Sequence, residues 1–329
     1  MKIIFIDWAT DYAKLMIANL SMIREVKEIN RFNRHFKKIN KLLISNALKK
    51  AHAKLHVFIK LRGVKRKDTV ICNGYSILKN IDLVSQINNY KILILRDTVE
   101  KLNVSMTEKG FLNNGEHYLS RVRPVFDKIY TFDKSGCKNF QLTYLNPFLS
   151  FTSSRYQLGQ EQSTTDNLNG FFYVGAYDTY RENILSQMLI EFDSRDIAGE
   201  VYLVSKDKKL NINSRFINCS LSYAENINKV RRSGVVLEIN RPEQVGITLR
   251  AIEALFFGKK LITTNRDIIH CDFYSSSNIF IWGEDDLSGL SEFLSSPFND
   301  EVKPLIDNYT ADYMIERIVK DRLAISHIV

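Results

Sequence analysis

Short apolar runs alternate with helical patterns along almost the whole chain, and that alternation restricts the fold more than any other feature. KIIFID, DTVICNG, KILILRD and KIYTFD mark the first half; FFYVGAY, VYLVS, VVLEIN, KLITTN and IFIWG mark the second. Each run is too short for a helix and apolar on both faces, as a strand buried from above and below must be. Between them lie longer stretches with apolar residues at helical spacing, expected as helices near 181–192, 223–232, 247–257, 285–295 and 310–322. Strands that alternate with helices predict parallel α/β units.

The alternation stops once. FTSSRYQLGQEQSTTDNLNG, from Phe151 to Gly170, is rich in Ser, Thr, Gln and Asn and carries no apolar period. It is expected to be a linker, giving an N-terminal domain at 1–150, a linker at 151–169 and a C-terminal domain at 170–329. A length of 329 residues suits two domains of about 150 each. Ligands of such sheets bind beyond the carboxyl ends of the strands, and for two such domains the expected site is the cleft they face.

The charge is uneven. Residues 21–67 hold fifteen lysines and arginines against Glu25 and Glu28, so this segment is +13 while the rest of the chain is −4. A local field of this kind attracts an anionic partner. Within it Ile29, Phe32, Phe36, Ile39, Leu42 and Leu43 recur at helical spacing, which predicts a helix over about 29–48. Cys72, Cys137, Cys219 and Cys271 stand far apart, which reads as reduced thiols in a cytoplasmic protein rather than a disulfide framework or zinc site. His52 and His56 share a helical face without a carboxylate, so no metal is expected. The opening MKIIFIDWATDY is too short for a secretory leader, and no later run reaches the roughly 20 apolar residues of a membrane span.

RPEQVGITLR, residues 241–250, lies between VVLEIN and a helix. The first N–H groups of a helix lack internal partners and carry the positive end of its dipole, so they attract phosphate. Gly246 lets a ligand approach the backbone, Thr248 offers a hydroxyl, Arg250 offers a fork to a diphosphate, and Glu253 stands where it can accept from ribose hydroxyls. An ordinary strand–turn–helix, with Glu253 solvated and Arg250 merely capping charge, explains the same residues equally well.

The segment GITLRAIEALFFGKKLITTN resembles the sugar-nucleotide-binding segment of GT-B glycosyltransferases, most closely those of bacterial lipopolysaccharide, O-antigen and capsule synthesis. The likeness extends to FDKIYTFDKSGCKNFQLTYL, FFYVGAYDTYRENIL and YAENINKVRRSGVVLEINRPEQVGITLRAIEAL, and thins toward the N-terminus. It implies two Rossmann-like domains facing a cleft, with the C-terminal helix packing back toward the N-terminal domain. It also implies transfer of a sugar from a nucleotide-sugar donor to a glycan or lipid-linked glycan, without metal or cofactor. Many retaining members carry two glutamates separated by seven residues. Here Val245 takes the first position and Glu243 lies ten residues before Glu253, so only Glu253 carries over, as ribose ligand, and the stereochemistry stays open.

The resemblance places Gly175 and Arg181 near the donor phosphates, with Arg181 neutralising the leaving diphosphate. Ser205 and Lys206 are further candidates for the base or phosphates, and Tyr223 for a wall of the base pocket. For direct inversion a carboxylate must deprotonate the acceptor; Asp97 and Asp7, both at strand ends, are the candidates, with Asp97 preferred because Arg96 adjoins it. An anionic membrane surface is an expected partner of residues 24–67. Two rival readings remain: a nucleic-acid binder that uses the basic segment with Phe32 and Phe36, and a GT-B-fold epimerase acting on a sugar nucleotide alone.

Overall fold

A computed structural model describes residues 1–154, 170–205, 207, 213–242, 244 and 246–326. By internal contacts the chain divides into two compact units, Met1–Asn146 and Pro147–Val329. The linker expected at 151–169 lies, from residue 155 onward, outside the described residues. Residues before that point belong to the second unit: the Leu149 N–H donates to the Tyr309 carbonyl, and the Ser153 hydroxyl to Asp312.

The first unit is built on a six-stranded sheet of β1 (Ile3–Ile6), β2 (Val26–Ile29), β3 (Thr69–Asn73), β4 (Tyr90–Leu95), β5 (Lys128–Thr131) and β6 (Thr143–Tyr144). Their spatial order is β2-β1-β3-β4-β5-β6, and every pairing is parallel. Side chains such as Ile4, Val70 and Leu93 are fully buried, which explains their unbroken apolar runs. The helix expected over 29–48 is divided. Ile29 ends β2, Phe32 buries in a turn, and separate helices run Phe36–Leu42 and Asn46–Lys60. Arg31 and His35 adopt left-handed backbone, with φ of 52° and 65°, and an α-helix cannot pass through them.

The second unit holds β7 (Phe171–Ala176), β8 (Gly199–Val204), β9 (Val235–Glu238), β10 (Lys260–Thr263) and β11 (Ile279–Ile281), again parallel throughout, in the order β11-β10-β9-β7-β8. One core, with Ile252, Leu255 and Phe273, and another, with Leu185, Phe192 and Leu290, are both built in this unit. Its C-terminal helix, Ala311–Ser326, begins where the Ala311 N–H donates to the Phe151 carbonyl. In each sheet the first strand lies between the second and the third. The chain therefore winds outward in both directions, and the carboxyl ends of first and third strands form a topological switch point.

Candidate functional site

Both units carry a pocket at the carboxyl end of the sheet. In the second, a cavity of about 570 Å³ is lined by Gly175, Ala176 and Tyr177 at the end of β7, Ser205 after β8, Leu221, and Arg250 from the helix after β9. Three expected residues thus meet: Gly175, Ser205 and Arg250. Asp178 caps the helix Thr179–Asp193 after β7, and Thr248 caps Leu249–Phe256, each accepting a backbone N–H three residues on.

Tyr173 explains why residue 175 is glycine. The two lie on one face of β7, and a Cβ at 175 would stand 2.3 Å from the Tyr173 hydroxyl. The phenol is completely buried, its hydroxyl has no hydrogen-bond partner among the described residues, and it ends beneath Gly175, a wall of the pocket. The Arg250 guanidinium sits 5.3 Å from the centre of its ring. Burial raises the phenol above its ordinary range, against the pull of Arg250 and Arg181.

The other expected residues have different surroundings. Arg181 donates to the carbonyls of Ile239 and Ala176 and pairs with Asp178 at 3.3 Å, joining the ends of β7 and β9. Thr248, besides its cap, donates to Glu238. Gly246 has a φ of 84°, a conformation that favours glycine, and its carbonyl accepts from Asn265. Glu253 is buried and accepts the Tyr223 hydroxyl at 2.7 Å; Tyr223 in turn contacts the Ser150 hydroxyl at 2.9 Å. Lys206, Glu243 and Val245 lie outside the described residues.

Glu238, which sequence reasoning missed, ends β9 with its carboxyl wholly buried between the hydroxyls of Thr248 and Thr263. Burial raises it above the usual carboxylate range, and the two hydroxyls oppose that rise. The available signal was a lone acid inside the buried run VVLEIN. Tyr173 had one too: a large residue two before a glycine on a strand needs the space the glycine leaves.

The first unit's pocket, about 680 Å³, brings together Asp7, Asn73 and Asp97 from the ends of β1, β3 and β4, with Thr10, Arg96 and Lys101. Its two carboxylates differ. Asp7, at a φ of 55°, accepts from the Phe32 N–H and from the Asn80 amide, so both its oxygens anchor the turn. Asp97 is partly exposed and pairs with Lys101 at 2.5 Å. His52 and His56 pack on Phe36, and His56 also contacts the Phe32 carbonyl. Among the described residues no cluster of three or more potential metal ligands occurs.

No protein-family model matches the chain, and no curated protein matches it. Solved structures do. A Burkholderia xenovorans α,α-trehalose-phosphate synthase in complex with glucose-6-phosphate superposes at a TM-score of 0.58, with 9% identity over 98% of this chain and 99% of that one. Anabaena HepE in complex with UDP-glucose gives 0.55, with 12% identity over 98% of this chain and all of the other. OtsA in its apo form gives 0.56, with 10% identity over 97% and 98%. The chain has the GT-B fold: two Rossmann-like units, each with a parallel sheet.

Proposed function

We propose that this chain is a glycosyltransferase whose donor is a nucleoside-diphosphate sugar bound in the second unit. The carrying observation is the pocket at the ends of β7 and β8, where Gly175, Ser205 and Arg250 meet above the buried Tyr173 hydroxyl. A guanidinium in a recess walled by main chain is suited to a diphosphate, since it supplies charge and two parallel donors. HepE, of like fold, has been seen with UDP-glucose, which supports the same ligand class here.

The first unit's pocket takes the acceptor. An acceptor hydroxyl attacks the anomeric carbon, the bond to the diphosphate breaks, the proton passes to Asp97, and Arg250 stabilises the charge left on the nucleoside diphosphate. Asp97 suits the role better than Asp7, whose oxygens are both engaged. The resemblance to enzymes of lipopolysaccharide, O-antigen and capsule synthesis makes a surface glycan the acceptor class.

The test is a thermal-shift panel of UDP-, GDP-, ADP- and dTDP-sugars, followed by Arg250→Ala. A bound donor at a hundred times its Kd stabilises by about 2.7 kcal/mol. Arg250→Ala is expected to weaken that donor roughly tenfold, about 1.4 kcal/mol, with the fold intact. Asp97→Asn should leave the donor's shift unchanged and abolish nucleotide release in the presence of acceptor. No response to any sugar nucleotide would sink this reading, and release of a converted sugar nucleotide without acceptor would replace it with epimerisation.

A further inference from the structure

The basic segment has a second property that its charge does not predict. Helix Asn46–Lys60 has fifteen residues, and Val57 is its one buried side chain; helix Phe36–Leu42 buries none. The packed face of the longer helix, with Ala53, His56 and Val57, turns toward Phe32 and Phe36. Leu48, Leu55, Phe58 and Ile59 recur at helical spacing on another face, and all four are exposed, Phe58 at 74%. Just before this helix, Leu42 is 80% exposed and Ile44, in the connecting turn, 97%. Six large apolar side chains within eighteen residues are thus bare to solvent, which scattered surface hydrophobics do not explain. Lys41, Lys50 and Lys54 are exposed among them.

We infer that this helical pair is a docking surface for an anionic lipid bilayer, with the exposed apolar side chains, Phe58 among them, entering the interface and the lysines meeting phosphate headgroups. Neither half of the surface suits another occupant as well. A second copy of the chain would set one +13 segment against another. A nucleic acid would satisfy the lysines, but leucines and isoleucines offer its bases no stacking surface, and Phe58 is the one exposed Phe, Tyr or Trp of the segment. A bilayer surface accepts both, since interfacial binding grows with apolar area and with attraction to anionic lipid. The protein lies on the membrane in this arrangement. Among the described residues no helix is long and apolar enough to cross one. The apolar residues in contact with lipid are largely not those of the stripe expected from sequence, because Ile29 and Phe32 pack in the core.

Flotation of the full chain with vesicles of phosphatidylcholine, alone or mixed with phosphatidylglycerol, tests the inference, and it does so whether or not the chain transfers sugar. Binding to the mixed vesicles and much weaker binding to the neutral ones is expected. Leu55→Gln with Phe58→Gln, and separately Lys50→Gln with Lys54→Gln, should each weaken binding roughly tenfold. These four side chains are exposed or at the rim, so circular dichroism and melting should match the parent. Phe58→Trp should show fluorescence quenching by brominated acyl chains, which a purely electrostatic contact would not give. Failure to float with the mixed vesicles, or unchanged binding by both double variants, overturns the inference. So does an oligonucleotide that binds while vesicles do not, or a dimer that Leu55→Gln with Phe58→Gln dissociates.

Discussion

At the scale of single residues the second unit's pocket rests on a steric bargain between Gly175 and Tyr173. A methyl group at 175 would meet the phenol oxygen at 2.3 Å and its ring carbons at 2.8 and 3.0 Å, and the ring, wholly buried, has nowhere to retreat. Gly175→Ala should therefore destabilise the protein by about 1–3 kcal/mol, as overpacking does, and weaken the donor as well. Urea unfolding and thermal shift with the donor read the two effects. Glu238 makes a second, pH-dependent case. Its carboxyl is raised in the fold by burial, so it favours folding at pH below the unfolded value, and that advantage disappears as pH rises through the folded one. At neutral and alkaline pH the buried charge is a cost. Glu238→Gln keeps the shape, accepts from one threonine and donates to the other. It should melt above the parent at pH 8, with the gap closing as pH falls toward about 4. An unchanged gap across that range would mean that burial does not raise the Glu238 carboxyl above its unfolded value.

At the scale of elements, local signals and tertiary burial agree where the sequence is easiest to read. Helix Tyr223–Arg232 opens with a full capping box. Ser222 accepts from the Glu225 N–H, and the Glu225 carboxylate accepts from the Ser222 N–H. Ser222→Ala should cost about 1 kcal/mol in urea unfolding, a typical price for a lost cap. The nine apolar runs of the sequence all became strands, because a strand between two helical layers has no polar face to interrupt it. β2 escaped notice for the opposite reason. VKEI sits at the sheet edge, only its last residue is buried, and Glu25 just before it pairs with Lys2. The helical spacing of the basic segment conceals the turn between β2 and the first of its helices, which depends on left-handed backbone at Arg31 and His35; histidine is enriched in that conformation, but arginine is not, and no glycine marks the turn. In the candidate site, Gly175 and Arg250 were legible as residues placed at the carboxyl ends of strands, where they now line one pocket. Whether a hydroxyl or carboxylate faces a pocket or a neighbour was not. Thr248 and Glu253 are engaged by Glu238 and Tyr223, partners ten and thirty residues away.

At the scale of the whole molecule, every residue lining the second unit's pocket comes from the second unit, as does every member of its two cores. A fragment of residues 147–329 should therefore fold and bind the donor with the affinity of the full chain. Where that fragment begins is decisive. Leu149 is fully buried in one of those cores, Phe151 stacks on Phe256 at 5.5 Å, and the Ser150 hydroxyl reaches Tyr223, the partner of Glu253. The Ser153 N–H and hydroxyl both bind Asp312 in the first turn of the C-terminal helix. A fragment beginning at 170, the boundary that the polar stretch alone suggests, loses all of these. Removing one buried leucine already costs about 2–5 kcal/mol, a large part of a domain's usual 5–15. The longer fragment should unfold cooperatively in urea and gain stability from the donor. The shorter should be unfolded or markedly less stable, with a donor response that is weak or absent. Equal stability of the two fragments would show that residues 147–154 contribute nothing to the second unit, and would restore the boundary at 170.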